Sequence, residues 1–202
     1  MDKVQIGTVV VAQQAVEAAS VVDSSFTADS DNSGLVGLGF DSINTVHPQK
    51  QKTWFSNAKS ALSAPIFTVN LKRGEAGTYN FGEIDESEYS GNISYMDVNS
   101  SQGWWEVNST GYAVGSDTFI NKTIDGIMDT GTSLLMLPDD VCQGYYAQVE
   151  GAEFSELEGG YTFNCSTPLP DLTLGFQGTL VTIPGSYFNY GKDCNSISTF
   201  QS

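Results

Sequence analysis

The stretch Ile127-Met128-Asp129-Thr130-Gly131-Thr132-Ser133, continued by Leu134-Leu135-Met136-Leu137-Pro138, decides how this chain is read. It places one carboxylate on a glycine turn between two apolar segments. The glycine lets the backbone pass close to the carboxylate, so N–H groups and the Thr132 hydroxyl can bond it, which lowers its pKa and fixes its direction. The apolar flanks are expected to be buried strands that support the turn. An Asp-Thr-Gly alone arises by chance roughly once in 25 chains of this size at average residue usage, and it is then a plain surface turn. The apolar runs on both sides, the Thr-Ser after the glycine and the Leu-Pro exit into a helical pattern favour a held, catalytic aspartate instead.

The rest of the composition narrows the setting. With 202 residues, 40% hydrophobic and 11% aromatic, the chain can bury a sizeable core in one or two domains. Eight Lys+Arg against 24 Asp+Glu leave a formal charge of −16, which argues against nucleic acid or an anionic membrane as partner and suits work at acid pH. No apolar run approaches ~18 residues, so no membrane span is expected, and the N-terminus lacks the charged and apolar regions of a signal peptide. Five N-x-Ser/Thr sequons, at Asn92, Asn99, Asn108, Asn121 and Asn164, point to a secretory route, since chance gives roughly one or two. Of three cysteines, Cys142 lies in a helical pattern and reads as an inert, half-buried thiol.

Period-two alternation predicts strands at Val4 to Ile6, Val9 to Val11, Ile66 to Leu71, Thr78 to Phe81, Ile93 to Val98, Trp104 to Val107 and Thr179 to Ile183. Helices are few. Pro48 opens a segment with Trp54, Phe55, Ala58 and Ala61 on one face, and Pro138 at a first-turn position opens another with Val141, Tyr145 and Val149 at helical spacing. A domain boundary is expected near Ser87 to Asn99, where acidic and polar residues thicken.

Other chemistries fail on their own spacing. Asp29-Ser30-Asp31-Asn32-Ser33-Gly34 begins like a calcium loop, but Phe40 stands where a bidentate Glu is needed. His47 is the only histidine, and no nucleophile motif surrounds any serine. One histidine and three scattered cysteines give no zinc spacing, and the glycines at 34, 37 and 39 do not form a dinucleotide fingerprint. No metal or organic cofactor is expected.

The Asp129 loop resembles the second active-site loop of pepsin-like aspartic endopeptidases, and further segments carry the resemblance in order along the chain. They are Asp2-Lys3-Val4-Gln5-Ile6-Gly7, Gln14-Ala15-Val16-Glu17-Ala18, Ser24-Ser25-Phe26-Thr27-Ala28-Asp29-Ser30, Gly34-Leu35-Val36-Gly37-Leu38-Gly39-Phe40, Gly77-Thr78-Tyr79-Asn80-Phe81-Gly82 and Ser109-Thr110-Gly111-Tyr112-Ala113-Val114-Gly115. The resemblance implies an all-β, bilobal fold with a few short helices. Residues 1–90 would be the second half of the N-terminal lobe, and residues 91–202 the first part of the C-terminal lobe, carrying the catalytic loop.

The family uses two Asp-Thr-Gly loops, because two carboxylates sharing a proton supply the acid and the base for water attack on a peptide carbonyl. Only one is present here. Against the family pattern the chain is expected to start after the first loop and the flap hairpin, and to stop before the final hydrophobic-Gly strand; the fold is then incomplete, and the segment with the first Asp-Thr-Gly becomes a required partner. By resemblance, Asp129 is catalytic, Phe26 and Leu35 line the apolar pocket before the scissile bond, Asp29 serves a neighbouring subsite, and Ile127 the pocket after the bond. Gly131, Thr132 and Ser133 contact substrate, Trp104 stands at a wall of the cleft, and Cys165 and Cys194 form a disulfide. The implied activity is hydrolysis of peptide or protein substrates between large apolar residues at acid pH by a secreted, extracellular enzyme. Two other readings stay open: a truncated, non-catalytic peptide-binding or decoy module, and a homodimer pairing two copies of Asp129.

Overall fold

The valine run at residues 9–11 cannot stay in water as an isolated segment, and it pairs at once with what precedes it. In the computed structural model, which describes residues 1–29 and 31–189 together with the backbone of 196–198, strand β1 (Asp2–Ile6) folds back on β2 (Val9–Gln14). The register is Val4 to Val11 and Ile6 to Val9, and Gly7 takes a left-handed φ of 58° at the turn. The chain forms two units, residues 1–93 with 100–104 and residues 94–99 with 105–202.

In the first unit a one-turn helix α1 (Ser24–Ala28) starts on the Asp23 carboxylate, which accepts from Ser25 N at 2.9 Å. Helix α2 (Trp54–Ala58) starts on Thr53, whose hydroxyl accepts from Ser56 N at 3.1 Å, and runs on as a 3₁₀ turn over Lys59–Ala61. Pro48 therefore does not open the helix; the cap is five residues later, where a Thr side chain can meet an unpaired N–H. Trp54 and Ala58 are buried with Val11 beneath them, and Phe81 meets the Trp54 ring edge-on at 4.9 Å. Phe81 belongs to a hairpin of β3 (Phe67–Asn70) and β4 (Thr78–Phe81). Gln14 ties strand to helix: its Nε2 donates to Lys52 O at 3.0 Å and its Oε1 accepts from Asn57 Nδ2 at 2.8 Å.

The second unit is built on an antiparallel sheet in the order β10, β9, β5, β6, formed by β5 (Glu106–Val114), β6 (Ile120–Ile127), β9 (Leu172–Phe176) and β10 (Thr179–Ile183). A smaller sheet of β7 (Glu153–Ser155), β8 (Gly160–Phe163) and β11 (Ser196–Ser198) stands beside helix α3 (Asp139–Tyr146) in the chain order. Gly111 of β5 lies opposite Gly175 of β9, and the Phe119 ring fills the space: a Cβ on Gly175 would come within 2.7 Å of it. Val141 and Tyr145 of α3 and Leu172 of β9 are fully buried in one cluster with Tyr112, Val114 and Leu174. The Tyr145 hydroxyl donates to Pro170 O at 2.8 Å, so burial leaves no orphaned polar tip there.

The architecture is mostly β with few short helices, as expected, but several elements differ. Ile93 to Val98 forms no strand. Alternation supplies a face, not a partner, and the only ladder contact nearby among the described residues is the bridge of Asn99 with Glu106; Tyr95 is left 75% exposed. Trp104 and Trp105 also precede β5 rather than join it, since Gly103 turns the chain with φ 87° just before them. Pro138 stands immediately before α3, its carbonyl accepting from Val141 N and Cys142 N, rather than inside the first turn. Strands β6, β7, β8, β9 and β11 are additional, and β5 extends to Val114.

Cys142 gives the core a chemical reporter. Burial, aided by the neighbouring Asp139 carboxylate, pushes its thiol from 9.0 up to about 11. A folded pKa above the unfolded one means that the protonated thiol stabilises the fold below pH 9 and that this contribution is lost as pH rises through about 11. At pH ~8, where a free thiol near its unperturbed pKa of ~8.5 alkylates readily, Cys142 in the native protein should resist iodoacetamide and react only after denaturant is added, read by peptide mass mapping. Rapid alkylation of the native protein at Cys142 would contradict the packing described.

Candidate functional site: the Asp129 loop and the Phe26 cavity

Asp129 hangs just beyond the end of β6. The sheet ladder reaches one residue past the strand, because Met128 N donates to Trp105 O at 3.0 Å, and then the chain turns away. Within the turn both carboxylate oxygens are taken up by the loop itself. Gly131 N donates to Asp129 Oδ1 at 2.8 Å, and the Thr132 hydroxyl donates to Oδ2. A Cβ at Gly131 would stand 3.2 Å from Oδ1, tighter than a carbon normally sits, so the glycine lets the amide close on the carboxylate. The Thr132 hydroxyl first, and the Gly131 amide second, hold the Asp129 carboxyl below the ordinary carboxylate range. The carboxylate itself is exposed, so this governs its charge state rather than the stability of the fold.

The flanks do not bury as expected. Ile127 is 44% and Met128 65% exposed, and no strand follows the turn; Leu137 alone of the apolar exit residues is fully buried. The reason is position in the sheet: β6 is its outermost strand among the described residues, so the end that overhangs has no neighbour on one side. The loop is held by its ends. Leu137 plugs into the α3 cluster and its carbonyl accepts from Cys142 Sγ at 3.4 Å, while Lys122 of β6 pairs with Asp140 in the first turn of α3. The Lys122 hydrogen bond holds the Asp140 carboxyl low. These ties were not visible in the sequence, because an 18-residue separation of two common charged residues is no signal until β6 and α3 are in place.

The structure places Ile127 at the end of β6 and Asp129, Gly131, Thr132 and Ser133 on the exposed loop that follows it in the second unit. In the first unit Phe26 of α1 and Leu35 line one cavity of about 820 Å³, whose other walls include Val16 and Trp54. Phe26 is 45% and Leu35 77% exposed, so their apolar surface is open to a ligand. Asp29 is not among the walls; it closes α1, and its carboxylate accepts from Asp31 N at 3.2 Å. Val16 and Trp54 as wall residues escaped the sequence reading, which assigned Trp54 to a helix core. Trp104 is half exposed in the first unit. Cys165 follows β8, and Cys194 lies outside the described residues, so the expected disulfide does too.

Chemically, the loop offers a charged hydrogen-bond acceptor with a fixed direction and a low pKa. A single such group, its pKa held below the ordinary carboxylate range, is a weak base. Water attack on an amide needs a second group to supply the proton.

Comparison with known proteins bears on this chemistry. The chain is 52% identical over 190 residues to endothiapepsin of Cryphonectria parasitica, covering 94% of this chain and 45% of that protein. It is 48% identical over 199 residues to aspergillopepsin-1 of Aspergillus pseudoglaucus (98% and 50%) and 47% identical over 190 residues to penicillopepsin-1 of Penicillium janthinellum (94% and 58%). The chain thus spans about half the length of the relatives it matches. The model of the eukaryotic aspartyl protease family matches residues 1–200, and the chain, with its Asp-Thr-Gly loop, belongs to that family.

Proposed function

We propose that this chain is part of a secreted aspartic endopeptidase to which it contributes one of two catalytic carboxylates, that of Asp129. The observation that carries the reading is the pair of bonds from Gly131 N and the Thr132 hydroxyl, which aim Asp129 and favour its ionised form. Its partner would be the aspartate of a first Asp-Thr-Gly loop. With two carboxylates about 3 Å apart, repulsion makes the pair retain one proton over an acidic range. The ionised member then takes a proton from a water, the water oxygen attacks the scissile carbonyl carbon, and the protonated member gives its proton to the carbonyl oxygen. Collapse of the tetrahedral intermediate passes a proton to the leaving amine and restores the pair.

The cavity of Phe26 and Leu35 supports a preference for a large apolar side chain before the cut bond, with Asp29 at a neighbouring subsite and Ile127, exposed at the end of β6, serving the position after it. Ser133 with Thr132 and Gly131 offers polar contacts to the substrate backbone. The charge of −16 fits an acid milieu, where carboxylate repulsion falls, and it disfavours nucleic acid as a partner. No helix among the described residues is long and apolar enough to cross a membrane.

The test is peptide hydrolysis at about pH 4 by the full-length protein, with and without a statine-type transition-state mimic. Asp129→Asn should lower kcat on the order of 10²- to 10⁴-fold while peptide binding persists. Binding without hydrolysis in the unsubstituted protein would favour the decoy reading, and inhibitor-sensitive hydrolysis by residues 1–202 alone would favour the homodimer.

Phe26→Ala should cut kcat/KM on the order of tenfold or more for substrates with Phe before the cut bond and leave small-residue substrates little changed. An unaltered preference would remove Phe26 from the pocket.

Thr132→Ala removes the first cause of the lowered Asp129 pKa, so in a carbon-13 NMR titration of residues 1–202 the Asp129 carboxyl should titrate at a higher pH than in the parent. The parent should therefore keep the carboxylate bonds of the loop to lower pH than the variant. An identical titration would show that the hydroxyl does not set the charge.

A further inference from the structure

The five sequons share a pattern of letters and differ in conformation. Asn108 and Asn121 lie inside paired strands, and Asn99 makes the bridge to Glu106. In an extended strand residues i and i+2 stand about 7 Å apart, too far for the asparagine and the hydroxyl residue to bond one another. Two of these amides are also occupied. Asn99 Nδ2 donates to Glu106 Oε1 at 3.0 Å, and Asn108 Nδ2 donates to the Asp125 carboxylate on the neighbouring strand. Asn92 is exposed, but the Ser94 hydroxyl oxygen is taken up by Thr179 Oγ1 at 2.7 Å.

Asn164 differs on each count. It is exposed at the turn that leaves β8, where Thr167 N donates to its carbonyl at 2.8 Å. Its side-chain Oδ1 accepts two bonds, from Ser166 N at 3.0 Å and from the Ser166 hydroxyl at 2.8 Å. Its Nδ2 has no partner among the described residues.

We infer that Asn164 is the principal N-glycan acceptor of this protein, ahead of the other four sequons. The glycan donor by chemical class is a lipid-diphosphate-linked oligosaccharide. In the transfer the Asn164 Nδ2 forms a bond to the anomeric carbon of the sugar, the bond from that carbon to the diphosphate oxygen breaks, the lipid diphosphate departs and one Nδ2 proton goes to a base of the transferase. An amide nitrogen is a poor nucleophile because its lone pair is delocalised toward Oδ1. As the proton leaves, charge builds on Oδ1, where two donors already wait. The fold also tolerates the product at this site. A glycan on Asn99 or Asn108 would crowd an amide nitrogen already bonded to a carboxylate, whereas one on Asn164 leaves both bonds to Oδ1 in place.

The inference rests on the secretory route and not on the peptidase reading. Its test is site-resolved glycan occupancy of the full-length protein, secreted from a yeast host behind a heterologous leader. Enzymatic deglycosylation in heavy-oxygen water marks each used asparagine as labelled aspartate for mass spectrometry. Asn164 should be modified in most molecules and to a greater extent than Asn92, Asn99, Asn108 or Asn121. Asn164→Gln should remove the largest glycan mass step on a gel, and Ser166→Ala should do the same while keeping the asparagine; Ser166→Thr should retain it, which separates loss of the acceptor from misfolding. Greater occupancy at any other sequon, or secreted protein with no glycan at Asn164, would overturn the assignment. Peptide hydrolysis is measured separately and leaves this outcome unaffected.

Discussion

The position of the Asp129 loop depends on the burial of one face of α3. Val141 and Tyr145, four residues apart and so on one side of the helix, are sealed in the cluster that holds Leu172 of β9. Each fully buried side chain of this size contributes roughly 1.5–3 kcal/mol relative to exposure. That burial fixes where the helix begins, and the helix start fixes Leu137. On the other side the loop leaves from β6, whose last rung is Met128 N on Trp105 O. A chain of eight residues between two such anchors has limited freedom, and a few short bonds suffice to set the carboxylate. Lys122 with Asp140 joins the same two elements at the surface, where an ion pair contributes little energy but restrains geometry.

Within that frame the chemistry is local. Asp129 finds its donors two and three residues ahead, so the loop carries its own means of holding the carboxylate ionised. The acidity of the whole chain acts on a longer range. At neutral pH a charge of −16 opposes compactness, and protonation of exposed carboxylates at acid pH relieves it. The two donors on Asp129 hold its carboxyl below the ordinary carboxylate range, so the loop favours the ionised form of this one group.

Polar side chains carry much of the organisation that apolar packing leaves open. Gln14 joins β2 to α2 through a donor and an acceptor at once, and the Asp171 carboxylate accepts from Gly185 N at 2.8 Å where the chain turns after β10. Gly185 stands so close to the 169–170 backbone that an added Cβ would meet Leu169 O at 2.0 Å. Such contacts tolerate one residue type, whereas the apolar clusters tolerate several of similar volume.

What the sequence determined by itself is what contiguous residues can encode. The strands within Val4 to Val11 and Phe67 to Phe81, the apolar face of Val141 and Tyr145, the self-bonded Asp-Thr-Gly turn and the place of Cys142 in a helix all follow from spacing of a few residues, because strand alternation, helical period and turn bonds are short-range. Tertiary structure alone decided the rest. Ile93 to Val98 has the alternation of a strand but no ladder, while β6 and β9, with weaker patterns, pair with β5. The exposure of Ile127 and Met128, the wall made by Val16 with Trp54, and the tie of Lys122 to Asp140 likewise arise from partners many residues away. A strand or a salt bridge needs a second surface, and its identity is set by the packing of the whole unit rather than by the residues that form the first.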